Sequence, residues 1–288
     1  IYNMLTGYQL PQAEDIEDKK ENHRLSEFVE ISGYKEKLFM RMLDKDKKKR
    51  LHSEQRVLVD DASISNDLKF RIEEAYKSIR ANIMFSVVKK GCKIIVVSSS
   101  LPNEGKTTTT VNLAASISQA DQRVLLIDGD LRKPKVHQYF AIPSAPGLTD
   151  YLSDVASPRH KMDIFGIIHP TRYENLSVIT SGTIPPNPAE LLGSDFMRDF
   201  LNGISKDFDY IIIDTPPLNV VSGALPLIRE SDGIVLVVRD NQTSHPELQK
   251  ALSSLEFIDA KILGFVVNFV ESKAGKSGGS SYDSSNYG

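Results

Sequence analysis

Gly105, Lys106 and Thr107 are the residues of this chain with the clearest chemical meaning. They follow the apolar run 93–97 and immediately precede a helix-like stretch over residues 108–118. A strand, a loop ending in Gly-Lys-Thr and a helix, in that order, are typical of a site for nucleotide phosphates. The backbone N–H groups of such a loop surround the phosphates, the lysine adds positive charge, and the threonine hydroxyl binds magnesium. The sequence therefore predicts a site for ATP or GTP.

We call residues 100–107 the phosphate loop. Its first position departs from the usual pattern, because Ser100 stands where a glycine is expected. The serine side chain is small, and we expect the chain to turn there all the same. The predicted nucleotide contacts are Ser100, Asn103, Glu104, Gly105, Lys106, Thr107 and Thr108.

Two further apolar runs end in acidic residues, Asp128 with Asp130 after one and Asp214 after the other. The carboxyl ends of parallel strands meet at one edge of a sheet, so these side chains should open onto the same crevice as the phosphate loop. Magnesium requires hard oxygen ligands, which Thr107 and Asp214 would supply. Asp128 and Asp130 then remain for phosphoryl transfer, in which a carboxylate orients or deprotonates the attacking oxygen. A single aspartate could equally be a helix cap, but three beside one phosphate loop favour chemistry.

The elements that must position these residues are read from the hydrophobic pattern. Apolar runs of strand length alternate with helical stretches, and runs so uniformly apolar are typical of strands covered on both faces. The sequence therefore predicts an α/β fold with a doubly wound, mostly parallel sheet. Strands are predicted over residues 94–98, 124–127, 176–180, 210–213, 234–238 and 262–267, and helices over 67–88, 108–118 and 189–201.

Composition shifts divide the chain into three predicted parts. Residues 1–66 form a charged, partly flexible appendage, with a helix predicted over 25–43 and a basic run over 45–50 that either is solvated or lies against anionic lipid. Residues 67–271 form the nucleotide-binding domain. Residues 272–288 lack apolar support and are predicted to be a flexible tail.

Overall composition narrows the functional classes. The 288 residues are 40% hydrophobic and 25% charged, as in ordinary globular proteins, and the net charge of −3 does not favour nucleic-acid binding. The single cysteine cannot form an internal disulfide, which favours a reducing cytoplasm. No apolar run approaches the roughly 18 residues that span a bilayer. Because residue 1 is Ile and not Met, a membrane segment further upstream stays open.

In combination, the motifs resemble the bacterial tyrosine kinases of capsule and exopolysaccharide assembly, which have a phosphate-loop ATPase fold. The resemblance covers residues 73–287. It rests on Gly105-Lys106-Thr107-Thr108, Asp128-Gly129-Asp130-Leu131-Arg132, Asp214-Thr215-Pro216-Pro217 and Pro186-Asn187-Pro188-Ala189-Glu190-Leu191-Leu192. It implies an ATP- and magnesium-dependent tyrosine autokinase that acts at the cytoplasmic face of the cell membrane and regulates polysaccharide synthesis and export.

The resemblance also implies roles for single residues. Lys106 would contact phosphates, Thr107 and Asp214 would serve magnesium, and Asp128 and Asp130 would support transfer to a tyrosine hydroxyl. Asn268, at the end of the last predicted strand, resembles the adenine-reading asparagine of related ATPases. The implied partners are an integral-membrane activator that controls chain length and a cognate tyrosine phosphatase, with no nucleic acid.

Two more segments of the chain resemble segments found in this family. Glu74, Lys77 and Arg80 resemble the Glu-x-x-Arg-x-x-Arg helix through which these kinases pack into rings, although Lys77 replaces an arginine and cannot make its bidentate contact. The alternative is an ordinary charged helix face. Tyr282 and Tyr287 resemble the cluster of tyrosines at which these kinases phosphorylate themselves, and the alternative is a plain disordered tail.

Two other functions remain open at this point. One is an ATPase switch of the MinD/ParA-like type, which has the same phosphate-loop NTPase fold. Those proteins usually carry a second lysine early in the loop, where this chain has Leu101-Pro102-Asn103. The other is a non-catalytic nucleotide-binding partner of a membrane complex, which the intact lysine, threonine and aspartates disfavour.

Overall fold

The computed structural model describes residue 57 and residues 66–157 and 162–269. Its strands are β1 (Lys93–Ser99), β2 (Val124–Asp128), β3 (His169–Pro170), β4 (Leu176–Ile179), β5 (Tyr210–Asp214), β6 (Gly233–Arg239) and β7 (Ile262–Asn268). They form one seven-stranded sheet in the order β3-β4-β2-β5-β1-β6-β7. All neighbouring strands are parallel except β3 and β4, so the predicted doubly wound, mostly parallel sheet is confirmed.

Helices cover both faces of this sheet. They are α1 (Asn66–Ser86), α2 (Lys106–Ser118), α3 (Val136–Phe140), α4 (Leu148–Val155), α5 (Pro188–Leu192), α6 (Asp195–Ile204), α7 (Leu225–Arg229) and α8 (His245–Phe257). Residues of α1, α2 and α3 pack into one hydrophobic core, and residues of α4 to α8 pack into another. Successive strand residues point to opposite faces, so Ile95 and Val97 join the first core while Val96 joins the second.

The predicted helix over residues 189–201 is wrong, because two helices, α5 and α6, occupy this stretch. Gly193 and Ser194 separate them. Ser194 has extended backbone angles, and its hydroxyl oxygen accepts a hydrogen bond from the N–H of Met197 at 3.2 Å, which caps the start of α6. The hydrophobic spacing continues across the break because both helices bury residues in the same core.

Ser194→Ala should lower the free energy of unfolding by about 1 kcal/mol, the usual contribution of an N-cap serine. Ser194→Thr keeps the accepting oxygen and should lose less. Ser253→Ala, at an exposed position inside α8, is the matched control and should be neutral or slightly stabilising. Urea unfolding of the three variants measures these differences. Equal stability of Ser194→Ala and Ser253→Ala would contradict the capping role.

The other sequence-based elements agree with the structure within a few residues. The helix predicted over 67–88 is α1, and the six predicted strands are β1, β2 and β4 to β7. The two-residue edge strand β3 was not predicted. The charged appendage with its helix over 25–43, the basic run and the tail lie outside the described residues, so the three-part domain division stays a prediction.

Candidate active site

The phosphate loop joins β1 to α2 and is braced by the last strand of the sheet. Gly105 has a φ of 87°, in the left-handed region that glycine adopts most easily. A Cβ atom at this position would overlap the side-chain amide nitrogen of Asn268 on β7. That nitrogen donates hydrogen bonds to the carbonyl oxygen of Glu104 at 2.9 Å and to the Thr109 hydroxyl at 3.2 Å. Asn268 therefore holds the loop itself, and its reading of adenine stays a prediction.

Lys106 lies among acidic side chains from two neighbouring strands. Its ammonium nitrogen is 2.8 Å from a carboxylate oxygen of Asp130 and 3.5 Å from one of Asp214. The Lys106 side chain is only 11% exposed. Burial disfavours its charged form, but the carboxylates of Asp214 and Asp130 outweigh this and raise the lysine pKa. The lysine is thus held as a cation at the edge of the sheet where β1, β2 and β5 end.

Thr107 and Asp214 form a pair of hard oxygen ligands. The Thr107 hydroxyl donates to a carboxylate oxygen of Asp214 at 2.7 Å, and the Thr110 hydroxyl donates to the other oxygen at 3.1 Å. Within the described residues, no cluster of three or more His, Cys, Asp or Glu side chains is arranged to hold a metal by itself. A hydroxyl and one carboxylate, completed by water and phosphate oxygens, nevertheless fit magnesium, which keeps several such ligands.

Asp128 and Asp130 do different things although both follow β2. Asp128 is fully buried, and its carboxylate accepts backbone N–H bonds from Asp130 at 3.2 Å, Lys135 at 3.1 Å and Val136 at 2.9 Å. These bonds fix the segment that carries Asp130. Asp130 instead contacts Lys106 and also accepts a hydrogen bond from the Lys133 N–H at 3.1 Å. Of these two aspartates, only Asp130 therefore directs its carboxylate at the phosphate-loop lysine.

Burial disfavours the ionised form of the carboxyl groups of Asp128 and Asp214. Burial raises the pKa of Asp128 to about 7, and the negative charge of Asp214 adds to this shift. Burial likewise raises the pKa of Asp214, although Lys106 and the hydrogen bond from Thr107 oppose it. A neighbouring carboxylate opposes the ionisation of each, that of Asp214 for Asp128 and that of Asp130 for Asp214, and the lysine cation partly compensates for both. The negative charge of the site is therefore not fully compensated, and a bound cation would supply the missing positive charge.

Sequence reasoning missed the loop between β6 and α8, residues 240–244. In this loop the Thr243 hydroxyl donates a hydrogen bond to the buried carboxylate of Glu104. Just before it, the Arg239 guanidinium donates to the carbonyl oxygen of Asn103 at 3.2 Å and lies 4.0 Å from the centre of the Phe269 ring. No motif marks these residues, because their partners are far away in the sequence.

Other predicted residues are placed as follows. Ser100 is buried and Thr108 donates to, or accepts from, the Tyr139 hydroxyl at 2.7 Å.

Lys77 pairs with Glu74 within α1 at 2.8 Å, and the Arg80 guanidinium donates to the carbonyl oxygen of Ser116 on α2. Their part in a ring stays a prediction. Tyr282 and Tyr287 lie outside the described residues.

Strand, phosphate loop, helix and acidic strand ends together define an α/β protein of the phosphate-loop NTPase class. A family model described as "AAA domain" matches residues 92–263, more than half of the chain. The class is therefore established over the phosphate loop, the acidic strand ends and most of the sheet.

Relatives within that class are more specific. The chain is 39% identical over 195 residues to the tyrosine-protein kinase YwqD of Bacillus subtilis, covering 68% of this chain and 80% of YwqD. It is 38% identical over 209 residues to the tyrosine-protein kinase CpsD of Streptococcus pneumoniae, covering 72% of this chain and 88% of CpsD. The solved kinase domain of the Escherichia coli tyrosine kinase ETK has a TM-score of 0.69 at 30% identity, covering 84% of this chain and 92% of that domain.

The chain therefore belongs to the bacterial tyrosine-protein kinases. This confirms the resemblance that the motifs indicated, and with it the enzyme class of a protein-tyrosine kinase. It also decides against the MinD/ParA-like switch and the non-catalytic partner as the main function. Among the helices that the structure describes, none has the length and hydrophobicity to cross a bilayer.

Proposed function

We propose that this kinase uses ATP and magnesium to phosphorylate tyrosines of its own tail, and that it thereby regulates the synthesis and export of a capsular or extracellular polysaccharide. The observation that carries the proposal is the placement of Lys106 within 3.5 Å of carboxylates from both Asp130 and Asp214, beside the phosphate loop. Phosphoryl transfer depends mainly on positioning and on compensation of phosphate charge, and these residues provide both.

In the proposed reaction the tyrosine oxygen bonds to the γ-phosphorus as the bond to the β–γ bridging oxygen breaks. The tyrosine proton passes to a carboxylate, and Asp130 is the one that faces the reacting groups. Asp128 supports it by fixing the segment that carries it. Lys106 would turn toward the phosphates once they enter the loop, and Thr107 and Asp214 would hold magnesium, which offsets the charge that develops on the phosphate oxygens.

The tail is the proposed acceptor because the described part of the chain that precedes it ends next to the site. The last described residue, Phe269, follows β7 directly and lies against Arg239 beside the phosphate loop. Tyr282 lies 13 positions further on, so an extended chain could reach about 43 Å at about 3.3 Å per residue. We propose that this reach is enough for the chain's own site or for that of a neighbouring subunit.

The partners follow from the family and are proposals for this chain. We propose an integral-membrane activator that holds the kinase at the inner face of the cell membrane, a cognate tyrosine phosphatase, and a homo-oligomeric ring built through Glu74, Lys77 and Arg80. In a ring, each subunit would present its tail to the next, and each phosphate would add about −1.5 to −2 charges to the tail. Accumulated phosphate should therefore loosen the assembly.

Mass spectrometry after incubation with Mg-ATP should find phosphate on Tyr282 or Tyr287. The Tyr282→Phe/Tyr287→Phe protein should lose most of the label, whereas Tyr151→Phe, at a half-buried tyrosine of α4, should keep it. Label restricted to core tyrosines such as Tyr210 would contradict the acceptor assignment. Hydrolysis of ATP without any phosphotyrosine would favour the ATPase-switch function instead.

The route between subunits is tested by mixing Lys106→Met protein with active protein that lacks both tail tyrosines. Label on the inactive protein is expected, together with a smaller mass by light scattering after phosphorylation. An unlabelled inactive protein would contradict transfer between subunits, and an unchanged mass after full phosphorylation would contradict control of assembly.

A further inference from the structure

The phosphate loop contains a carboxylate, that of Glu104, which accepts hydrogen bonds from within the protein. Glu104 is fully buried. One of its carboxylate oxygens accepts a hydrogen bond from the Leu101 N–H at 2.8 Å, and the other accepts one from the Thr243 hydroxyl. Burial raises the pKa of Glu104, while these hydrogen bonds favour its charged form.

A negative charge within a loop that binds anions calls for a physical reason. A carboxylate this near to bound phosphates repels them, and the low local dielectric strengthens the repulsion. The compensating contribution is structural, because a carboxylate oxygen accepts several strong hydrogen bonds at once. In Glu104 these bonds come from the Leu101 N–H, three residues earlier in the phosphate loop, and from the Thr243 hydroxyl in a second loop.

The second loop is the segment between β6 and α8. The Thr243 oxygen accepts a hydrogen bond from the Arg239 N–H at 2.9 Å, which leaves the hydroxyl proton directed at Glu104. The Arg239 side chain reaches the same turn independently, through the carbonyl oxygen of Asn103 at 3.2 Å. The end of β6 and the loop that follows it thus contact two consecutive residues of the phosphate loop, 103 and 104.

We propose that Thr243 is a positioning residue of this kinase, which holds the phosphate loop in its nucleotide-binding shape through the carboxylate of Glu104. The inference rests on the proposed binding of ATP at this loop. Thr243 and Glu104 contact the loop and not the transferred phosphoryl group, so the pair acts on nucleotide affinity. The dissociation constant and KM for Mg-ATP should rise when the contact is lost, and kcat should change little.

Thr243→Val removes the hydroxyl at nearly constant volume and should raise the dissociation constant for Mg-ATP roughly tenfold, which corresponds to one hydrogen bond to a charged group. Thr243→Ser keeps the hydroxyl and should stay within about twofold of wild type. Glu104→Gln should retain most of the affinity, because its amide can donate to the Thr243 oxygen while its carbonyl accepts from Leu101. Titration calorimetry with a non-hydrolysable ATP analogue measures binding without any transfer.

A double-mutant cycle separates this role from the bond between Thr243 and Arg239. Glu104→Ala leaves that bond intact, so Glu104→Ala and Thr243→Val share only the contact between the two side chains. The double variant should therefore lose less affinity for Mg-ATP than the sum of the two single losses, and any loss beyond that of Glu104→Ala alone measures the bond between Thr243 and Arg239. Additive losses, or equal losses in Thr243→Val and Thr243→Ser, would overturn the proposal.

The result that would contradict the proposed function differs from the result that would contradict the positioning role of Thr243. If wild-type protein did not bind Mg-ATP, the function would be wrong, whereas normal binding by both wild type and Thr243→Val would refute only the positioning role. If Thr243→Val is unfolded by circular dichroism, Glu104→Gln compared with Glu104→Ala decides the question by itself. Equal affinity of those two proteins for Mg-ATP would then overturn the inference.

Discussion

Lys106→Met is expected to reduce tyrosine phosphorylation on the order of a thousandfold, the usual consequence of losing one preorganised charge at the reacting group. The lysine is the cation that lies between Asp130 and Asp214, and methionine fills a similar volume without charge. Phosphotyrosine formation per minute at saturating Mg-ATP is the measurement. Lys250→Met, at an exposed position of α8, is the matched control and should phosphorylate normally. Activity of Lys106→Met within about threefold of wild type would contradict the phosphate-loop assignment.

The same substitution should also show how strongly the site depends on compensation of charge. Removing one partner of a buried ion pair typically costs about 3 kcal/mol of stability, because the other charge is left buried. Lys106 lowers the pKa of both Asp128 and Asp214, so its loss should raise both further.

The sign of the pH dependence follows from those shifts. A carboxyl group whose native pKa exceeds its unfolded value holds protons more tightly in the native state, so stability falls as pH rises between the two values. For Asp128 in the wild type, the pKa is 3.8 in the unfolded chain and about 7 in the native protein. Lys106→Met should therefore lie closest to wild-type stability near about pH 5 and furthest from it near about pH 8. An equal difference at both pH values would show that the lysine does not compensate the carboxylates.

Gly105→Ala should weaken binding of Mg-ATP about a hundredfold, through two separate effects. The left-handed backbone at φ 87° costs alanine about 1–2 kcal/mol. The added Cβ would also overlap the amide nitrogen of Asn268, whose hydrogen bonds to Glu104 and Thr109 would have to break. Fluorescence titration with a labelled ATP analogue gives the affinity.

Gly91→Ala is the control for the first effect, because Gly91 has a φ of 80° and nothing lies within 4 Å of an added Cβ. It should lose some stability and keep its affinity for nucleotide. Asn268→Ala combined with Gly105→Ala removes the overlap, so the double variant should lose less affinity than the two single losses predict. If Gly105→Ala bound Mg-ATP as tightly as Gly91→Ala, the close approach of Asn268 would be irrelevant to the site.

The sequence predicted those parts of the fold in which a local hydrophobic pattern is compatible with only one kind of secondary structure. Uniformly apolar runs such as 211–213 are buried on both faces, and this alone indicates a central strand. The break at Gly193 and Ser194 was missed because the hydrophobic spacing is the same in one helix and in two that share a core. The edge strand β3 has two residues, one of them Pro170, and carries no alternation to detect.

The sequence predicted which residues form the candidate site. It did not predict which contacts each of them makes. The motif identifies Lys106 and the strand ends identify the aspartates, but only the path of the chain shows that Asp128 binds backbone N–H groups while Asp130 faces the lysine. The contact between Glu104 and Thr243 joins residues 139 positions apart, and a hydroxyl at that distance has no sequence signature.

Asn268 on β7 braces a loop formed by residues 164 positions earlier in the chain. Proteins are synthesised from the N-terminus, and domains fold as units as the chain emerges from the ribosome. A nascent chain that has released β1, the phosphate loop and α2 but not β7 therefore has the motif without its brace. We expect such a chain to bind nucleotide weakly, so that the kinase becomes active only once its last strand has joined the sheet.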